Sequence, residues 1–208
     1  MRELFRRRNL PHWDISGGTF FVTCCLAGSI PARGYSASRR ARSNDSAERF
    51  RERERQLDQC HGLQWMGDHR VAAAVRDAML YFAGDRYDLL AYVVMPNHVH
   101  WVFRPLPAWN DRREQGGDRR SAREVVVHSF CRHSAIVCNR MLRRTGPFWQ
   151  HESYDRVVRN DAELQRIVDY VELNPVKARL CDRPEDWEFS SASAVGQAQL
   201  SARTEKRQ

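Results

Sequence analysis

The stretch from Tyr87 to Arg104 constrains the fold more than any other part of the chain. Tyr87 to Met95 is apolar on both faces of an extended backbone, the pattern of a central strand. Pro96-Asn97 then turns the chain, and His98-Val-His-Trp-Val-Phe-Arg104 returns, which predicts an antiparallel hairpin. Side chains alternate faces along a strand, so His98 and His100 project from one side. Val99, Trp101 and Phe103 point to the other and can be buried. Two imidazoles held side by side on a rigid strand suit a divalent metal. Alone, His-Val-His is a weak signal, because such triplets arise by chance and two half-exposed strand histidines read the same way.

A second stretch, Asn160 to Pro175, supplies further chemistry. Leu164, Ile167, Val168 and Val171 recur at helical spacing and form one apolar stripe. Asn160 with Glu163 three residues on reads as a capping box, and Pro175 is expected to stop the helix. Tyr170 and Asn174 lie one turn apart and share a face at the edge of the stripe. A tyrosine hydroxyl is a nucleophile, and an amide oxygen one turn later is a candidate third metal ligand. Singly, Tyr170 reads equally as a half-buried core tyrosine and Asn174 as a helix-end cap. With His98 and His100 the four make a nuclease-like set.

The run Tyr-Val-Val-Met-Pro-Asn-His-Val-His at 92–100 resembles the His-hydrophobe-His motif of REP-associated tyrosine transposases, relatives of single-tyrosine insertion-sequence transposases. Gly-Pro-Phe-Trp-Gln-His-Glu-Ser-Tyr-Asp at 146–155 is similar to that family's second block, and Tyr-Val-Glu-Leu-Asn-Pro-Val-Lys-Ala at 170–178 to its tyrosine helix. Arg6 to Trp13, and Pro184 to Trp187 with Ser190-Ser191, resemble its two ends. The blocks keep the family's order over nearly the whole chain.

The resemblance implies a ferredoxin-like α+β sandwich of the HUH single-tyrosine nuclease type. The histidine pair would lie on a central strand with the tyrosine helix beside it. It implies a metal-dependent single-stranded DNA endonuclease and strand transferase that cleaves beside REP-type hairpins. Tyr170 would be the nucleophile, forming a 5′-phosphotyrosine, and His98, His100 and Asn174 would hold Mg²⁺ or Mn²⁺. An imidazole and amide set favours Mn²⁺ intrinsically, whereas abundance favours Mg²⁺. Two other readings stand beside it: a metal nuclease or phosphodiesterase that uses water, and a nucleic-acid-binding module without chemistry. Monomer and homodimer are both open.

The remaining chain reads as one domain over 1–208, long enough for a sizeable core. Residues 1–13 form a basic arm whose Arg6, Arg7 and Arg8 could contact phosphates, with Trp13 as an anchor or stacking ring; a solvated tail is the other reading. Thr19 to Ala27 predicts the first strand and His69 to Phe82 an amphipathic helix. Polar insertions are expected at about 31–60, a loop then a charged helix, and at about 105–121, a mobile loop. Arg123 to Arg144 predicts a long core helix with Arg132, Arg140, Arg143 and Arg144 on its outer face as candidate DNA contacts. Tyr154 to Val158 predicts a strand, and about 179–208 an irregular tail with a frayed end. Trp149 is a candidate stacking platform, whereas Trp101 reads as core.

Lys and Arg number 34 against 26 Asp and Glu, a net charge of +8, which fits a polyanionic partner. None of the six cysteines forms a Cys-x-x-Cys pair, as expected of reduced thiols. The N-terminus lacks the apolar stretch of a signal peptide, and no apolar run approaches the ~20 residues of a membrane span. A cytoplasmic protein with no membrane partner is the expectation.

Overall fold

The computed structural model describes residues 3–7, 11–29 and 62–205. The loop and charged helix expected at 31–60 lie outside the described residues. The first elements are β1 (Glu3–Arg7) and β2 (Pro11–Ile15), paired antiparallel as a two-stranded sheet. The expected arm is therefore a hairpin along much of its length. Next come β3 (Thr19–Cys25), α1 (His69–Leu80), β4 (Tyr87–Val94), β5 (His98–Pro105), α2 (Pro107–Gln115) and α3 (Ala122–Met141). They are followed by β6 (Tyr154–Val158), α4 (Asp161–Glu172), α5 (Asn174–Lys177) and α6 (Ala194–Glu205).

Strands β3 to β6 form one antiparallel sheet in the order β4-β5-β3-β6. With α1 joining β3 to β4 and α3 joining β5 to β6, this is the split βαβ arrangement of a ferredoxin-like fold. Both inner strands are sandwiched, which is why β3 is buried from Phe20 to Cys25. On one face Phe20, Val22, Trp101 and Phe103 pack against Val75 and Met79 of α1 and Val126 and Phe130 of α3. On the other, Phe21, Ala91, Val93 and Val102 meet Val171, Leu164, Ile167 and Val168 of α4. The apolar stripe of the tyrosine helix is thus its contact with the sheet.

Three sequence expectations change. Strand β4 is an edge of the four-stranded sheet, not a central strand. It reads as central because its faces are covered and its outer rim is bonded by the C-terminal segment: Val94 N donates to Phe189 O and Ser191 N to Tyr92 O. That segment is accordingly no irregular tail. It contains a 3-10 turn at Pro184–Asp186 and the helix α6, and Ser190, Ser191 and Ser193 are buried. Gly196 permits the close seat of α6, since a Cβ there would lie 2.0 Å from Ser190 O.

The stretch expected as a mobile loop at 105–121 contains α2, begun by Pro107 and tied at its end by Arg113, which donates to Asp118 O and Arg120 O. The tyrosine helix ends at Glu172, shortly before Pro175 as expected, and Pro175 lies in the first turn of the short α5, where a missing N–H costs nothing.

Candidate functional site

Residues of two strands, β3 and β5, and of the helices α4 and α5 meet on the α4 side of the sheet. The turn before β5 is tight: Met95 N donates to His98 O, and Leu26 N donates to Asn97 O. Asn97, His98 and His100 are fully buried there. In register, His98 lies opposite Cys25 and His100 opposite Thr23. The pleat therefore presents both imidazoles to α4, with Val99, Trp101 and Phe103 in the opposite core, as the alternation predicts.

The imidazoles face each other through their Nε2 atoms, 3.1 Å apart. Each outer nitrogen is held: His98 Nδ1 is 2.6 Å from Asn97 Oδ1, and His100 Nδ1 is 2.9 Å from Thr23 Oγ1. Phe21 stacks on the His100 ring at 5.5 Å between centroids. Tyr170, half-buried on α4, brings its hydroxyl to 3.5 Å from His100 Nε2. The Lys177 ammonium lies 4.8 Å from the centroid of the Tyr170 ring, a cation on its π face.

Helix α4 is fixed by its start. Asn160 Oδ1 accepts from Glu163 N at 2.8 Å, as the capping motif predicts. The Glu163 carboxylate does not close the box on Asn160 but accepts from Arg159 N at 2.7 Å and pairs with Arg156. Beyond Glu172 the backbone stays in the helical region at Leu173, so Asn174 continues the stripe of Leu164, Ile167 and Val171. Asn174 is 1% exposed and its Oδ1 accepts no hydrogen bond. A buried amide oxygen without a donor is uncommon and asks for an explanation.

The donor set fits a divalent cation. Imidazole nitrogens whose far nitrogens are hydrogen-bonded are the usual form of a histidine ligand, and the orphaned Asn174 oxygen is a neutral oxygen donor. Among the described residues no group of three or more His, Cys, Asp or Glu could hold a metal. A site here would need the amide to complete it.

The candidate DNA contacts are dispersed. Arg132 and Arg140 are exposed on α3 and Arg143 just past its end, on the sheet face away from the histidines. Arg132 shares a groove of about 560 Å³ between α1 and α3 with Tyr81, Phe82, Arg86, Arg120 and His133. Arg144 instead stabilises its own loop: it donates to Asn139 Oδ1 and Pro147 O and lies 3.7 Å over the Trp65 ring. Trp149 offers no face to a base, because it is buried against Phe130 and Phe148 and donates to Ser134 Oγ at 2.9 Å. Its flanking Gly146-Pro147 suggests a loop, but Leu26 bridges to Trp149 and draws the indole into the core. The side chains of Arg6, Arg7 and Trp13, and all of Arg8, lie outside the described residues.

Three contributors went unnoticed in the sequence. Thr23 could have been found as the one hydroxyl flanked by apolar residues inside Phe-Phe-Val-Thr-Cys-Cys, and Asn97 by its place between turn and histidine. Lys177 lies seven residues from Tyr170, about two helical turns on the same face.

Comparison with known proteins agrees with the motif reading. No protein-family model matches the chain. A REP-associated tyrosine transposase of Escherichia coli K12 is 28% identical over 118 residues, covering 56% of this chain and 62% of the relative. A Haemophilus influenzae protein of the same designation is 26% identical over 111 residues, 50% of this chain and 58% of the relative. The matched regions thus span about three fifths of these curated relatives. A solved structure of a REP-associated tyrosine transposase bound to a REP hairpin superposes with a TM-score of 0.54 at 21% identity, covering 92% of this chain and 82% of that one. The fold is shared with it. Among the described residues no helix is long and apolar enough to cross a membrane.

Proposed function

Taking this kinship with REP-associated tyrosine transposases as the premise, we propose that the protein is a single-stranded DNA endonuclease and strand transferase acting beside REP-type hairpins. The observation that carries the reading is the approach of the Tyr170 hydroxyl to 3.5 Å from the Nε2 of His100, whose partner His98 faces it at 3.1 Å. A nucleophile beside a paired-imidazole site can carry out phosphoryl transfer at a diester.

The Tyr170 oxygen attacks phosphorus and loses its proton to solvent. The bond to the departing 3′ oxygen breaks, that oxygen is released as a 3′-hydroxyl, and the 5′ end stays on the enzyme as a phosphotyrosine. A later 3′-hydroxyl reverses the step and rejoins DNA, which a water-using nuclease cannot do. The Lys177 ammonium places positive charge beside the nucleophile, where phosphate charge would otherwise repel it. His98, His100 and Asn174 would hold Mg²⁺ or Mn²⁺, which would supply Lewis-acid charge toward a non-bridging phosphate oxygen. Thr23 and Asn97 hold the two rings in place.

The test is a covalent protein–DNA adduct on a denaturing gel, using a hairpin with a single-stranded flank. Wild type forms it; Tyr170→Phe loses it while binding the hairpin within a few-fold of wild type. Tyr154 is the control, because it lies opposite Thr23 on β6 and so on the same sheet face. Adduct retained in Tyr170→Phe and lost in Tyr154→Phe would move the nucleophile to β6. Cleavage without any adduct would make the protein a hydrolase.

A further inference from the structure

The fold brings two cysteines together from distant parts of the chain. Cys24 lies on the inner strand β3 and Cys131 on α3, 107 residues apart, and the Cys131 thiol donates to Cys24 Sγ at 3.8 Å. Both are thiols. Alternation along β3 decides which of its two adjacent cysteines makes the contact. Cys24 points into the core shared with α3, whereas Cys25, opposite His98, belongs to the α4 side. A disulfide holds its sulfurs at about 2 Å, so the pair closes with a shift of roughly 2 Å.

The two thiols differ in access. An open groove of about 190 Å³ lies over them, lined by both cysteines and by Val127, His128, Gln150 and His151. Cys131 is half-buried there, whereas Cys24 beneath it is 2% exposed. A water molecule takes up about 30 Å³ in the liquid, so the groove admits a molecule as small as hydrogen peroxide. Other cysteines are set against such a reaction, which needs a thiolate. Cys138, two turns further along α3, is fully buried, and burial pushes its thiol up to about 12. Burial and the carboxylates of Asp186, Asp182 and Glu185 raise that of Cys181 above its ordinary value.

We propose that Cys131 and Cys24 are a peroxide-responsive thiol pair, which closes to a disulfide between α3 and β3 and reopens with a thiol reductant. Cys131, as thiolate, attacks one oxygen of hydrogen peroxide. The O–O bond breaks, an S–O bond forms, and the sulfur gives two electrons to the peroxide. The departing oxygen takes up a proton and leaves as water, and the product is a sulfenic acid. The Cys24 sulfur then attacks the sulfenic sulfur. The S–S bond forms as the S–O bond breaks, and the hydroxide leaves as water with the Cys24 proton. Two thiols and one peroxide thus give one disulfide and two waters. The buried partner ends the reaction at the disulfide, before the irreversible acids form. Neither the metal nor the nuclease reading of the histidine site is needed for this chemistry.

The experiment exposes the folded full chain to hydrogen peroxide, alkylates the remaining thiols in denaturant, and maps the peptides by mass spectrometry. Wild type should lose the mass of two hydrogens and yield a Cys24–Cys131 linked peptide, which disappears on reduction, while Cys138 and Cys181 are recovered alkylated. Cys131→Ser keeps the size of a half-buried side chain, and in it Cys24 should be recovered alkylated after the same exposure. In Cys24→Ala no bridge should form, and dimedone should trap a sulfenic acid on Cys131. Wild type with both cysteines still alkylated after peroxide overturns the proposal. So does a bridge from either one to another cysteine, Cys60 included. Oxidation of Cys24 in Cys131→Ser as fast as in wild type overturns the assignment of Cys131 as the thiol that meets the peroxide. Should Cys24→Ala fail to fold, the wild-type linkage and Cys131→Ser decide the matter.

Discussion

Asn174 keeps a buried amide oxygen with no donor, and a group left in that state ordinarily costs about 1–3 kcal/mol. The proposed function gives this oxygen, one turn beyond Tyr170, a use as a cation ligand. If that use is cation binding, stability and affinity must respond in opposite directions. Asn174→Leu should leave the thermal stability of the metal-free protein unchanged or raised, and should weaken Mn²⁺ binding by an order of magnitude or more. Calorimetric melting and a metal titration check the two halves. A metal-free protein that melts well below wild type would make Asn174 a helix-end cap. The histidines answer to a simpler experiment. His98→Ala and His100→Ala should each eliminate cleavage, and a chelator should do the same to wild type until Mg²⁺ or Mn²⁺ is restored; full cleavage in chelator would make the pair structural.

Elements rest on partners that are distant in sequence, and Arg123 is the clearest case. From the first turn of α3 it donates through Nε to Asp14 Oδ1 at 2.7 Å and through Nη2 to Asp14 Oδ2 at 3.1 Å. Its Nη1 donates to Asp155 Oδ1 on β6, also at 3.1 Å. Burial acts to lower its pKa, but the Asp14 hydrogen bonds and the Asp155 and Asp14 charges outweigh that and raise it. This joint fixes the N-terminal hairpin, α3 and β6 together. Arg123→Met should cost about 3–5 kcal/mol, because two buried carboxylates lose their cation; a denaturant melt within 1 kcal/mol of wild type would show the network to be dispensable. Nothing local in the sequence announces it, since the partners lie 109 and 32 residues away. By contrast the alternation from His98 to Phe103, the stripe from Leu164 to Val171 and the Asn160 cap were legible, because each is a short-range pattern with one physical meaning. Helix α2 was not, as Trp-Asn-Asp-Arg-Arg-Glu has no apolar stripe, and neither was the burial of Trp149, which a bridge to Leu26 decides. The end of α3 was also hidden: Arg143 takes φ +49° between Arg143 N→Arg140 O and Arg144 N→Asn139 O bonds, a left-handed cap that glycine fills better. Arg143→Gly should raise stability by about 0.5–1 kcal/mol, and a lower melting temperature would mean that the arginine side chain itself holds the cap.

Across the whole molecule the sheet separates two groups of candidate site residues. The buried histidines and Tyr170 lie on the α4 side, whereas Arg132 and Arg140 on α3, and Arg143 just past its end, lie exposed on the far side. With a net charge of +8, binding of nucleic acid should be strongly salt-dependent. A hairpin with a single-stranded flank should bind better than a blunt duplex, because under the proposed mechanism a diester attacked by Tyr170 would have to leave base pairing to reach it. Each phosphate contact removed should lower the slope of log affinity against log salt by roughly 0.7–0.9. Replacing Arg132, Arg140 and Arg143 together with alanine should therefore weaken binding and flatten the slope by up to about three such steps. Replacing Arg6, Arg7 and Arg8 tests the N-terminal arginines in the same way. Because Arg132, Arg140 and Arg143 are separated from His98 and His100 by the sheet, Mn²⁺ affinity should be unchanged in that variant, which distinguishes a lost phosphate contact from a damaged fold. A slope that moves for the arm and not for α3 would leave the α1–α3 groove without a role in DNA binding and place the basic contacts on the N-terminal hairpin. Equal affinity for blunt duplex would remove the single-strand reading, since a site that demands an unpaired diester cannot be satisfied by a duplex that supplies none.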